Sequence, residues 1–338
     1  MKLEIYENLT DSQIKEIENF LLTNKSQFNP LFSTPLWAMR LKRIIGFEYE
    51  FLAVKKENKI LALHTIFEGY RGFVKIKKLP IGIKGIVKFY ARFFYGYVSW
   101  DNFIVFNNEI TTPDKDDAKR IIYHHLAQKE KKCLASPIYD GDEIFFKNKK
   151  VAKYGTYLLE FEGKTYEEIY NMFRRSARRS IEKTLEQDVY VKRLIEEKEV
   201  LQWIEWLREA QRETGKSYRI DTSEVFQEFE CFKKESYHYE IFVAYQGNEI
   251  LGSMGIWGFG DFITEFGVNQ SKVAKERKLY VQDVIKNEIV KYCFDRGIKF
   301  FDLAGFNPGE NLTEKEKSIK QFKEKFRGTE ILYSMIKE

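Results

Sequence analysis

The sequence predicts an α/β (α+β) protein built as two related halves, each a mixed sheet flanked by helices. Three observations carry that reading. A β-hairpin pattern at residues 51–54 and 60–67, turned by Lys56-Glu-Asn-Lys59, returns at residues 241–244 and 250–252, turned by Gln246-Gly-Asn248. An offset of 190 residues superposes Asn58, Ile60 and Leu61 on Asn248, Ile250 and Leu251. Each hairpin is followed by a long helical pattern and a short apolar strand: 114–131 with 133–138, and 275–296 with 298–303. The last of these strands opens into a loop punctuated by Gly305, Pro308 and Gly309, and a strand end opening into a loop is where α/β enzymes place chemistry.

The elements follow in order from local signals. Residues 2–6 read as a first strand and 11–23 as a helix with Ile14, Ile17 and Leu21 on its apolar face. Thr34 caps a second helix that has Pro35 at its first position, carries Trp37 and stops at Gly46. Residues 79–100 are rich in aromatic, basic and Gly positions and fit either a cleft wall, with Tyr97 and Trp100 on it, or plain packing. Thr165 and Glu168 form a capping box for a helix running to about 187, with Ile169, Phe173, Ala177, Ile181 and Leu185 as its buried stripe.

Beside that stripe stand Arg174, Arg175, Arg178, Arg179 and Lys183, with Glu182 and Glu186 alone placed to balance them. Such a row suits phosphate, because guanidinium directs two bonds at phosphate oxygens; a basic surface or an ion network is the alternative. Residues 195–234 read as two helices around a 215–219 spacer, with Trp203 and Trp206 in the core. Near the end, Thr313 and Glu316 cap a helix whose Phe322 and Phe326 sit four apart. Lys323 lies between them, either held in place by the buried rings or solvated on an ordinary amphipathic helix.

Composition bounds the function. With 338 residues the chain is long enough for two cores; 43% of it is hydrophobic and 32% charged, the profile of a soluble globular protein. No apolar run reaches the ~18 residues of a membrane span, and no apolar core follows the first residues as in a signal peptide, so a cytoplasmic location is expected. Cys133, Cys231 and Cys293 are far apart, and the four His are scattered, so neither a disulfide framework nor a metal site is expected. A net charge of +5 does not by itself mark a nucleic-acid binder.

Taken together these motifs resemble the FemABX family, the aminoacyltransferases that build peptidoglycan side bridges. Its signature is a strand ending in Asp, then a Gly, an irregular loop, and Phe-Lys followed by Phe-Gly-Gly. Asp302, Gly305, Phe322, Lys323, Phe326 and Gly328 stand in those places, with Arg327 for the first Gly of the closing pair. Thr34 to Trp37 matches the family's Ser/Thr-x-x-Trp opening. The Lys that the peptidoglycan branch carries four residues later is here Leu41, flanked by Arg40 and Lys42. The run Arg178-Arg-Ser-Ile-Glu-Lys-Thr-Leu-Glu-Gln-Asp-Val-Tyr-Val191 matches the family's Arg/Lys-rich helix, with Asp188 where Gly is usual and a left-handed turn is tolerated.

The resemblance implies two GNAT-like domains in tandem, residues 1–153 completed by 327–338, and residues 154–326. It implies an aminoacyltransferase that moves an amino acid from charged tRNA to an amine of a nucleotide- or lipid-linked envelope precursor, with peripheral contact at the inner membrane face. Lys323, Phe322 and Asp302 would be catalytic, Lys323 as the electrostatic stabiliser. Arg174, Arg175, Arg178, Arg179 and Lys42 would bind phosphate, and Trp37, Tyr97, Trp100 and Gly305 would line the cleft. No cofactor or metal is implied. Asp302 either takes a proton or ties down the loop after it, and Glu265 is a second candidate base.

Two alternatives stay open. One is a GNAT-type N-acyltransferase using acyl-coenzyme A on an amino sugar, although residues 269–278, where such enzymes hold pyrophosphate on a Gly-containing loop, have no glycine. The other is a non-catalytic module that binds phosphate or nucleic acid.

Overall fold

The computed structural model describes residues 1–69, 96–98, 102–128, 133–147, 149–213 and 220–337. The chain divides into two compact units, one of Met1–Tyr154 with Leu332–Glu338 and one of Gly155–Ile331.

The first unit contains β1 (Lys2–Tyr6), α1 (Asp11–Thr23), α2 (Pro35–Ile45), β2 (Glu48–Lys56), β3 (Lys59–Gly69), β4 (Gly96–Val98), β5 (Val105–Phe106), α3 (Thr112–Gln128) and β6 (Cys133–Tyr139). Its strands run in the order β1-β2-β3-β4-β6-β13, where β13 (Thr329–Lys337) pairs antiparallel with β6 from Tyr333↔Tyr139 to Lys337↔Ala135. Local chemistry explains the element ends. The Thr34 hydroxyl accepts the Trp37 amide, Pro35 follows, and Gly46 closes α2 at φ 79°, a left-handed cap that glycine adopts without cost. In the β2–β3 turn Glu57 and Asn58 both have positive φ, as a two-residue hairpin turn requires. Leu52, Val54, Ala62 and Ile66 of the hairpin pack against Ala118, Ile122 and Leu126 of α3 to make the core.

The second unit starts within β7 (Lys150–Glu160) and continues through α4 (Tyr166–Met172), α5 (Arg175–Leu185), β8 (Val189–Arg193), α6 (Glu197–Glu213), α7 (Thr222–Cys231), β9 (Tyr237–Gln246), β10 (Glu249–Phe259), β11 (Phe262–Gln270), α8 (Lys272–Glu276), α9 (Val281–Arg296), β12 (Phe300–Phe306) and α10 (Glu314–Glu324). Its sheet order is β7-β12-β11-β10-β9-β8. All neighbours are antiparallel except β11 and β12, which run parallel. Helix–strand–helix alternation on a mixed sheet is the α/β arrangement the sequence predicts.

Three expectations need correction. The single helix from 165 to 187 is broken: Phe173 and Arg174 are extended, at ψ 142° and 145°, between α4 and α5. The break keeps Phe173 in the core, edge-on to Phe326 at 5.1 Å, and turns the Arg174 amide to donate to the Lys325 carbonyl at 2.7 Å. Ile169, Phe173, Ala177 and Ile181 are buried as the stripe requires, each large one worth about 1.5–3 kcal/mol, but Leu185 at the end is 45% exposed. The helix expected over 275–296 is two: α8 ends at Glu276, Lys278 takes φ 55°, and α9 starts at Val281.

Candidate functional site

β11 and β12 pair only from Phe262↔Phe300 to Thr264↔Asp302. Beyond that register each strand follows a different neighbour, and a cavity of about 770 Å³ opens between them, a size that suits a small ligand. Its wall includes Glu265, Phe266 and Val268 of β11, Val281 to Asp283 at the start of α9, Ala304 and Gly305 of β12, and Phe322, Lys323 and Lys325 near the end of α10.

A bulge shapes the β12 side. The register against β7 shifts between Asp302↔Leu158 and Gly305↔Thr156, leaving one extra residue on β12, and Ala304 takes φ 60° to absorb it. The buried Asp302 carboxylate holds this bulge, accepting from the Ala304 amide at 2.8 Å and from the Thr156 hydroxyl. Burial pushes its carboxyl up to about 6, against the opposing pull of those two donors and of the Lys323 charge. The carbonyls the bulge exposes, Ala304 and Gly305, accept from Lys323 Nζ at 2.9 and 2.8 Å.

α10 delivers Lys323 because its start is fixed by the Thr313–Glu316 capping box and its end by Phe326, which is fully buried and edge-on to Phe322 at 5.6 Å. Burial lowers the Lys323 pKa; the Glu265 carboxylate, 3.9 Å away, opposes that, and the Lys286 charge reinforces it. Beneath lies Lys286 of α9, fully buried, with its ammonium 5.7, 5.3 and 5.1 Å from the Phe301, Phe322 and Phe326 ring centres. It forms a close buried ion pair with Glu265. At the first turn of α9, Asp283 pairs with Lys325 at 2.7 Å, and burial raises its carboxyl against that partner. Of these groups Glu265, Asp283, Lys323 and Lys325 line the cavity, with Lys286 and Asp302 buried beside it; Lys286 and Lys325 each pair with a carboxylate, while Lys323 has its nearest one, Glu265, at 3.9 Å.

The structure therefore gathers Asp302, Gly305, Phe322, Lys323 and Glu265 at one place, and adds Lys286, Asp283, Lys325 and Thr156. Lys286 had one weak signal in the sequence, a charge between the apolar pairs Val284-Ile285 and Ile289-Val290. Of the arginine row, Arg174 reaches this neighbourhood through Glu324 at 3.3 Å. Arg178 bonds Asn171 at 3.0 Å, while Arg175, Arg179 and Lys183 are exposed on α5 with no ion pair among the described residues. Asp188 has φ 57° after α5, the left-handed turn the sequence predicts there.

The remaining predicted residues lie in the first unit. Trp37 is a core residue, 4% exposed and edge-on to Phe32 at 5.1 Å, with the Arg40 guanidinium 4.6 Å over its ring. Lys42 pairs with Glu48 at 2.6 Å. Tyr97 falls on β4, opposite Glu68, while its side chain, Trp100 and most of the 79–100 segment lie outside the described residues. Among the described residues no three His, Cys, Asp or Glu gather to hold a metal ion, and no helix is long and apolar enough to cross a membrane.

No protein-family model and no curated protein sequence matches this chain. Solved structures do. The crystal structure of FemX superposes with a TM-score of 0.67 at 12% identity, over 99% of this chain and 97% of that one. The C-terminal domain of a putative lysylphosphatidylglycerol synthetase from Agrobacterium fabrum gives 0.54 at 12%, over 96% and 91%. A tandem GNAT protein from the clavulanic acid biosynthesis pathway gives 0.51 at 7%, over 99% and 98%. The chain thus has the tandem GNAT fold found in FemX, and its resemblance to the FemABX family holds at the level of fold.

Proposed function

We propose that this chain is an aminoacyltransferase that moves the amino acid of a charged tRNA onto an amine of an anionic, peptidoglycan-type envelope precursor at the β11–β12 cavity. The observation that carries the choice of donor is the start of α9. A pyrophosphate held as in acyl-coenzyme A enzymes needs a free helix N-terminus and close backbone approach. Here the carboxylate of Asp283 occupies the first turn, paired with Lys325, and the preceding residues 269–278 contain no glycine. An aminoacyl ester makes no such demand. It is already activated, so the protein's task is to position the amine against the ester carbonyl and to stabilise the charge that develops. The exposed Arg175, Arg179 and Lys183 suit phosphates of the tRNA or of the precursor.

The test is label transfer to an amine acceptor from charged tRNA or from acyl-coenzyme A, by the wild type and by Lys323→Ala. Transfer from charged tRNA, lost in the variant, is the expected result. Transfer from acyl-coenzyme A alone would move the assignment to an N-acyltransferase, and binding of tRNA without transfer from either donor would leave a binding module.

A further inference from the structure

The site described so far has charges but no group assigned to take the proton that an attacking amine must lose. Asp302 and Glu265 are the carboxylates nearest to Lys323, and both are committed: Asp302 to the Ala304 amide and the Thr156 hydroxyl, Glu265 to Lys286. Lys323 is different. Its nitrogen donates to two backbone carbonyls, at 2.9 and 2.8 Å, and its nearest carboxylate, Glu265, stands 3.9 Å away. A neutral primary amine has two N–H donors and one lone pair; an ammonium has three donors and no acceptor. The bulge of β12 offers two acceptors, enough to saturate the first and not the second.

We propose that Lys323 is the general base of the transfer: Ala304 and Gly305 take its two N–H donors, and its lone pair is left for the acceptor amine at the cavity. The assignment rests on the aminoacyl-transfer reading above and names the group that moves the proton. The groups facing Lys323 are Glu265 from β11, Asp302 from β12 and Lys286 from α9; burial and the Lys286 charge lower its pKa, and the two carboxylates oppose them without reversing the direction. In the reaction the neutral acceptor nitrogen forms a bond to the ester carbonyl carbon, and the tetrahedral adduct loses an N–H proton to Lys323 Nζ. The carbon–oxygen ester bond then breaks, and the proton passes from Nζ to the departing ribose oxygen. The products are an amide and a free hydroxyl, with one proton moved from nitrogen to oxygen and Lys323 returned to its starting state.

Arginine at 323 separates base from charge, since guanidinium stays protonated at every accessible pH. Lys323→Arg and Lys323→Ala are each expected to lose roughly 10²–10⁴-fold in kcat/KM. Small primary amines added to the solution restore part of the activity of Lys323→Ala and none to Lys323→Arg. Lys323→Arg within about threefold of the wild type, with an unchanged pH profile, overturns the proposal in favour of a fixed charge. A second measurement needs no reaction. In protein labelled at the lysine ε-carbon, the resonance that vanishes in Lys323→Arg should titrate below its midpoint in the unfolded chain, and a midpoint at or above that of the unfolded chain also overturns the proposal. A wild type that transfers from no donor refutes the transferase reading, and with it the base, even where this titration shows a neutral amine. Thermal melting of both variants near the wild-type temperature excludes misfolding as the cause of lost activity.

Discussion

Replacing Lys286 by Met tests how the buried charges hold the second unit together. The Lys286 side chain is fully buried, its ammonium pairs with Glu265, and it lies among the rings of Phe301, Phe322 and Phe326. Met keeps most of the stem volume and its contact with the rings, so the loss is chiefly electrostatic. It leaves Glu265 buried, with the Lys323 amine at 3.9 Å as the nearest remaining partner. Breaking a buried pair by removing one partner costs about 3–5 kcal/mol, whereas replacing both partners by apolar groups of similar volume is often neutral. Urea unfolding followed by circular dichroism should therefore show Lys286→Met less stable by about 3–5 kcal/mol. Lys286→Met combined with Glu265→Leu should recover most of that loss. Costs of the two single changes that simply add in the double variant, or a loss under about 1 kcal/mol for Lys286→Met, would refute the coupling.

Three further outcomes are expected. Asp302 has a folded-state pKa near 6, above the ~3.9 of an unfolded aspartate, so the folded state holds a proton that the unfolded chain has lost and stability falls as pH rises from about 4 to 6. Asp302→Asn removes that slope, and its stability relative to the wild type should rise by roughly 2–2.5 kcal/mol between pH 4 and pH 7.5 in denaturation curves; a pH-independent difference contradicts the assignment. Gly328→Ala would place a Cβ 3.0–3.1 Å from the Leu158 backbone of β7, which has no side-chain freedom to yield, and a loss of about 1–3 kcal/mol in thermal or urea melts is expected. Asp188→Gly relieves a left-handed aspartate at φ 57° and should raise the urea midpoint by an amount equivalent to about 0.5–1 kcal/mol.

What the sequence by itself determined was whatever closes within a few residues. The capping boxes at Thr165–Glu168 and Thr313–Glu316, the Thr34 cap with Pro35, the Gly46 stop and the hairpin turns are set by groups three or four apart, and all are present. The placing of Phe322 and Lys323 on the last turn of α10, with Phe326 in the turn that follows it, belongs to the same class, because it depends on residues at most four apart. Tertiary structure decided the remainder. The α4–α5 helix breaks at Phe173 and Arg174 because the Arg174 amide finds the Lys325 carbonyl, a partner on a distant element that no local pattern reveals. α9 is buried on nearly every side through its first three turns, so Lys286 interrupts no amphipathic pattern that would mark it as paired. Asp302 is held by Thr156, 146 residues away, and the bulge that presents two carbonyls to Lys323 exists only where β12 runs beside β7. The sequence thus supplied the side chains of the site and the helix that carries Lys323. Long-range strand pairing and burial supplied the field around that lysine, since desolvation depends on everything packed against a group and not on its neighbours in the chain.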